Sequence, residues 1–210
     1  KTLKKPVGTD WDSNRIVIDN LRGFTEISNG GMYPILLAGH KRLDKETMHQ
    51  LIDLVTRLHF RAKTVCDISY TSIEELVVTI CKQLVNNAGY SIPDIRKDMT
   101  ENWSKYPTDS LFESKFKELQ LSNYRTAVYP LSEIEYSYYH GGKKSAAAVI
   151  PDNIEVEHIM PQKIERKWLP ALKKNPALDT DEKISAYHKN NVDKLGNLTL
   201  LTPNSNKIVS

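Results

Sequence analysis

Two short stretches of this chain hold residue types suited to phosphodiester hydrolysis. The first, Asn153-Ile154-Glu155-Val156-Glu157-His158-Ile159-Met160-Pro161, sets a carboxylate beside an imidazole at the end of an alternating run. The second, Leu195-Gly196-Asn197-Leu198-Thr199-Leu200-Leu201-Thr202-Pro203-Asn204-Ser205-Asn206, supplies amides. Cleaving a phosphodiester at neutral pH needs a base that takes a proton from water, oxygen ligands for a hard divalent cation, and a group that fixes the base's tautomer. A glutamate, a histidine and two asparagines can fill those roles. Each residue also has a plainer reading. His158 suits a hydrogen-bonded strand end, Asn197 suits the turn after Gly196, Glu157 suits a solvated strand, and Asn206 suits an exposed helix face, where Asn204 is a neighbour that can take its place.

The elements that must position these groups are legible around them. Alternation up to His158 predicts one short strand, and Leu195 to Leu201 predicts a second, with Leu195, Leu198 and Leu200 as core candidates. Thr202 stands as N-cap and Pro203 as the first residue of a following helix. The expected order is strand, strand, helix. Adjacent residues of a regular strand point to opposite faces, so Glu157 and His158 serve one phosphate only if the strand bends or ends there. Pro161, without an amide donor, places an ending nearby.

These elements resemble the HNH, or ββα-metal, nucleases, and more narrowly the C-terminal domain of GmrSD-type restriction endonucleases. That domain carries a Glu-His-Ile-x-Pro element and, after a variable helical insert, Leu-Gly-Asn-Leu-x-Leu-Leu and a further asparagine. Position by position, the resemblance makes His158 the general base and Asn197 the residue that orients it. It makes Glu157 and Asn206 the ligands of Mg2+ or Mn2+, with Asn206 nine positions after Asn197 as in the family. The resemblance covers the last third of the chain closely and the helical region before it by general pattern. It implies a prokaryotic restriction or phage-defence enzyme acting on modified or foreign DNA. An N-terminal nucleotide-hydrolysing domain or subunit, for which this chain shows no Asp-Gly-x-Gln-Arg-like motif, is the implied partner. The stretch between Met160 and Leu195 is longer than the loop of a minimal motif. The chain starts at Lys1 without methionine and stops at Ser210, barely two turns into the last helix, which reads as a fragment with that helix truncated.

Before the site the sequence reads as helices. Leu43, Met48, Leu51, Ile52, Leu54, Val55 and Leu58 follow helical spacing toward Cys66, and Thr71 to Ala88 carries a second stripe closed by Gly89. Capping boxes are expected at Ser72/Glu75 and Ser110/Glu113. Further helices are expected near Asn14 to Ile27, Met32 to Leu37 and Leu131 to Tyr139, where Tyr136, Tyr138 and Tyr139 read as partly buried rather than as base-stacking groups. Arg57 and Arg61, one turn apart, suit either a phosphate clamp or structural ion pairs.

Charge and cysteine content narrow the classes. With 29 Lys+Arg against 26 Asp+Glu the net charge is +3, which permits nucleic-acid binding without arguing for it. Phosphate contacts must then come from local patches: Lys163, Lys173 and Lys174 in a stretch that also holds Arg166 and Lys167, Lys207 in the last helix, or Lys143 and Lys144 in a linker. Within the insert, Trp168 and Leu169 are expected to pack against the hairpin, since two strands and one helix bury little alone. Cys66 and Cys81 form no Cys-x-x-Cys pair, which excludes a zinc ribbon and fits reduced, core-placed thiols. No signal peptide and no apolar run of membrane-spanning length is visible, so a cytoplasmic protein is expected.

The expected fold is mainly α with a small β-hairpin: a helical domain over 1–142, then a ββα-metal nuclease domain with a helical insert over 143–210. His140-Gly141-Gly142-Lys143-Lys144-Ser145 marks the boundary, and Ser28-Asn29-Gly30-Gly31 is a second linker-like break. The expected activity is metal-dependent DNA cleavage. A DNA-binding or modification-sensing module on an inactive nuclease fold is the alternative.

Overall fold

The computed structural model describes residues 15–27, 30–121, 123–140 and 153–205. Asn206 and Lys207, the Lys143/Lys144 linker and Ser28-Asn29 lie outside them. The chain is mainly helical with a two-stranded antiparallel sheet. It divides into two compact units, one built from described residues up to Lys117 and the other from Glu118 onward.

The first unit holds α1 (Arg15–Ile27), α2 (Tyr33–His40), α3 (Lys45–His59), α4 (Tyr70–Asn86), α5 (Ile92–Lys97) and α6 (Asp109–Lys117). The stripes read from the sequence become its core, where Leu51, Ile52 and Val55 of α3 meet Ile73, Leu76 and Ile80 of α4 in one buried cluster. A methyl at Gly39 would overlap Leu51, so glycine is what lets α2 approach α3. After α3 the backbone widens into π-helical turns over Phe60–Val65, with the Cys66 amide donating to the Arg61 carbonyl at 3.1 Å. Arg57 pairs with Asp53 at 2.8 Å. Arg61 donates to the Pro107 carbonyl and to Asp109, and lies over the Tyr106 and Phe112 rings. Both arginines therefore take the structural reading. Cys66 and Cys81 are free, half-buried thiols, and burial pushes both upward in pKa.

The helix starts differ from the expected ones. Ser69, not Ser72, caps α4 by accepting from the Ser72 amide at 3.2 Å. Thr108, not Ser110, accepts from the Leu111 amide at the start of α6. In both cases a hydroxyl two or three residues upstream captures the orphan amide first, since either residue satisfies the same local rule. A reciprocal box forms instead at α5, where the Ser91 amide donates to Asp94 at 2.9 Å.

His59 closes α3 at 2% exposure. Burial, helped by the charge of nearby Lys63, lowers its pKa from 6.5 to about 4, and its Nδ1 has no hydrogen-bond partner. Below 6.5 the unfolded chain takes up a proton that the folded chain refuses. The stability this contributes at neutral pH is thus lost as the pH falls from 6.5 toward 4, by on the order of 3 kcal/mol. Urea unfolding at stepped pH should show a shallower acid loss in His59→Leu than in the parent. Parallel curves would remove His59 from the account.

The second unit begins with Glu118 to Leu121, continues into α7 (Tyr124–His140), and then carries β1 (Glu155–His158), α8 (Leu169–Leu172), α9 (Asp181–Asn191) and β2 (Leu198–Leu201). The expected helix at Leu131 in fact starts at Tyr124, with Pro130 in its interior. An interior proline costs about 3 kcal/mol, and the burial of Ala127 and Tyr129 on the added turns offsets it. α7 packs on both strands, and the boundary expected at 142/143 lies outside the described residues. Tyr136 is buried as expected, whereas Tyr138 is 84% exposed; the Tyr139 side chain lies outside the described residues. In the insert, Trp168 is exposed and α8 buries nothing; Leu178 and Ile184 take the buried positions expected of Trp168 and Leu169. No helix among the described residues is long and apolar enough to cross a membrane.

Candidate active site

β1 and β2 pair antiparallel in the register Glu155 to Leu201, Val156 to Leu200, Glu157 to Thr199 and His158 to Leu198. The ladder reaches one residue further, where the Ile159 amide donates to the Asn197 carbonyl at 2.8 Å. Beyond that point the Asn197 side chain takes over. Its Oδ1 accepts from the Met160 amide at 2.7 Å, and its Nδ2 donates to the Met160 carbonyl at 3.0 Å and to the Val192 carbonyl at 2.9 Å. The amide thus presents to Met160 the same donor and acceptor that a neighbouring strand would. All three bonds go to backbone, so the Asn197 side chain holds the loop that follows His158. Pro161 is tied as well, its carbonyl accepting from His188 of α9 at 2.8 Å.

His158 sits where the ladder ends, its side chain 9% exposed. Its ring meets the Tyr124 ring edge to face, with centroids 4.8 Å apart. Of its nitrogens, Nε2 is sealed from solvent without a hydrogen-bond partner and lies 3.7 Å from Asp193 Oδ1. The same Asp193 oxygen accepts from the Tyr124 hydroxyl at 3.1 Å, and that hydroxyl accepts from Gln162 Nε2 at 2.7 Å. Asp193 is in turn fixed by its backbone, since its carbonyl accepts from the Leu121 amide at 2.8 Å and the Leu195 amide donates to Leu119. An imidazole, a partly exposed carboxylate and a phenol therefore converge at the end of β1.

After β2, Thr202 accepts from the Ser205 amide at 3.2 Å and residues 203–205 are helical, which is the N-cap and first turn read from the sequence. Strand, strand and helix start thus occur in that order along the chain, with α8 and α9 between the strands. Residues 106–210 match the family described as GmrSD restriction endonucleases, C-terminal domain. The chain belongs to that family. Neither a curated protein nor a solved structure matches the chain. The GmrSD C-terminal match contains every residue of the hairpin and its supports, from Tyr124 to Thr202.

Within this GmrSD domain the candidate residues separate. His158 and Asn197 come together through the loop. Glu157 pairs with Thr199 in the same regular ladder as His158, so strand alternation aims it to the opposite face. Asn206 lies outside the described residues, and Asn204 is exposed in the first helical turn. A carboxylate and an amide are hard oxygen donors that fit Mg2+ or Mn2+ with water and phosphate completing the shell, and they do not make a four-ligand zinc site. Among the described residues no three His, Cys, Asp or Glu side chains are grouped as a metal site. Of the basic residues, Lys173 pairs with Asp181 at 2.7 Å and Lys167 with Glu165, while Lys163 and Lys174 are exposed. Lys207 lies outside the described residues.

Asp193, Tyr124, Gln162 and His188 were not singled out from the sequence. Gln162 directly follows the Glu-His-Ile-Met-Pro run, and Asp193 stands four residues before Asn197, so proximity to the two elements was the available signal. Tyr124 carried none, because Pro130 conceals the start of its helix.

Proposed function

We propose that the second unit is a ββα-metal nuclease of the HNH type, which hydrolyses DNA phosphodiesters with Mg2+ or Mn2+. One observation carries this reading: the hairpin ends at His158, and the Asn197 side chain clamps Met160, two residues on, with two hydrogen bonds and holds the Val192 carbonyl with a third. A base held to a fixed line of approach is what in-line attack on phosphorus requires. His158 takes a proton from water; the water oxygen bonds to phosphorus while the bond to the leaving oxygen breaks. Asn197 keeps the imidazole in line by holding Met160. Asn206 would be an oxygen donor for the cation, and Glu157, which this ladder aims away from His158, would join it only through a bend in the first strand. When bound, that cation supplies positive charge against the scissile phosphate and the leaving oxygen. Lys163 and Lys174 are exposed and suit phosphate contacts, and Lys173 and Lys207 are the further candidates.

Membership of the family supports a restriction role for such a nuclease. The substrate would then be modified or phage DNA met in the cytoplasm, with a nucleotide-hydrolysing domain or subunit as partner. The test is cleavage of supercoiled plasmid with Mg2+, with Mn2+, and with EDTA. Nicked or linear product should appear with either cation and vanish with EDTA. DNA that binds but stays intact with every divalent cation tried would turn the reading into that of a modification-sensing module.

A further inference from the structure

We propose that Asp193 is a positioning residue that keeps the proton of neutral His158 on Nε2, leaving Nδ1 to accept the proton from water. The catalytic consequence rests on the nuclease reading above; the tautomer itself does not. A neutral imidazole carries one N–H, and which nitrogen bears it is set by the partner of that nitrogen. In His158 the buried nitrogen is Nε2, and the acceptor facing it is Asp193 Oδ1 at 3.7 Å. A sealed, unpartnered ring nitrogen is costly, and it is least so as an N–H directed at a carboxylate. The separation is longer than a hydrogen bond, as such contacts are in enzymes without substrate, where they shorten on binding.

Asp193 is built to stay there. The Tyr124 hydroxyl donates to the same Oδ1, Gln162 donates to that hydroxyl, and the Tyr124 ring edge closes one side of the imidazole. The hydroxyl cannot serve Nε2 itself, because its proton is directed at Asp193. During the reaction the proton leaves water for Nδ1, the ring briefly carries N–H on both nitrogens, and the carboxylate beside Nε2 opposes that positive charge. Nδ1 then returns its proton to solvent. The division of labour is clear: Asn197 fixes where the ring stands, and Asp193 fixes which nitrogen is the base.

The test uses the full chain, labelled with nitrogen-15, at alkaline pH where an ordinary histidine is neutral. Long-range proton–nitrogen spectra should show His158 with its hydrogen on Nε2, and a shift toward the Nδ1–H tautomer in Asp193→Ala. In plasmid cleavage, Asp193→Ala should lower kcat by roughly 10- to 100-fold with KM held within about twofold. Asp193→Asn, which keeps an oxygen acceptor without the charge, should recover part of that loss. If Asp193→Ala fails to fold, Tyr124→Phe, which frees the carboxylate from its anchor, carries the same two readouts with a smaller shift. A parent protein with His158 protonated on Nδ1, or spectra unchanged across the variants, overturns the proposal. An inactive parent with the Nε2–H pattern overturns the nuclease reading alone.

Discussion

His158→Ala is expected to lower metal-dependent plasmid cleavage by roughly 100- to 10,000-fold, the usual worth of a general base. The side chain is not purely catalytic in its surroundings. It is largely buried and packs edge to face on Tyr124, so truncation also removes a ring contact worth about 0.5–1.5 kcal/mol. A modest fall in Tm should accompany the loss of rate. His158→Gln separates the two effects, because it retains much of the volume and can still donate toward Asp193, yet cannot act as a base near neutral pH. Both variants should remain helical by circular dichroism, since the main helical core belongs to the first unit and does not include His158. Cleavage by both folded variants at the parent's rate would end the assignment of His158 as base.

What could be read in advance followed the range of the interactions involved. The two strands were legible because Glu155 to His158 alternates and Leu198 to Leu201 is apolar, although the expected start at Leu195 is a 3-10 turn over Leu195–Asn197. The Thr202 cap was legible because capping is decided within four residues. Helix starts were less so: Ser69 and Thr108 compete with Ser72 and Ser110 under the same local rule, and tertiary packing chooses between them. The helix through Pro130 was concealed for a related reason, since the burial that offsets the proline comes from strands more than 20 residues away in sequence. Asp193 and Tyr124 were missed together for this reason. Their meeting at His158 depends on the pairing of Leu119 to Leu121 with Asp193 to Leu195, a long-range contact with no local period to announce it. Conversely, the tension noted for Glu157 and His158 is a local matter of alternation. The regular ladder through both residues retains it.

Asn197→Ala is expected to be costly in two measurements at once. Three side-chain hydrogen bonds disappear, leaving the Met160 amide, the Met160 carbonyl and the Val192 carbonyl without these partners in a half-buried loop. At about 1 kcal/mol for each bond, with more where a group is left unsatisfied, unfolding free energy of the second unit should drop by roughly 2–4 kcal/mol. The released loop no longer fixes the position of His158, and a displacement near 1 Å is worth on the order of 100-fold in rate. Asn197→Asp discriminates the route of action. Its carboxylate still accepts from the Met160 amide but faces the Met160 and Val192 carbonyls without a donor, so it should be no better than alanine in urea unfolding or in single-turnover cleavage. If Asn197 instead worked by direct contact with the imidazole, a carboxylate there would orient the ring well and restore the rate despite the weakened fold. Recovery of cleavage in Asn197→Asp, with stability still low, would therefore reject the loop as the path from Asn197 to His158. Loss of both together would place the cost in the grip on Met160.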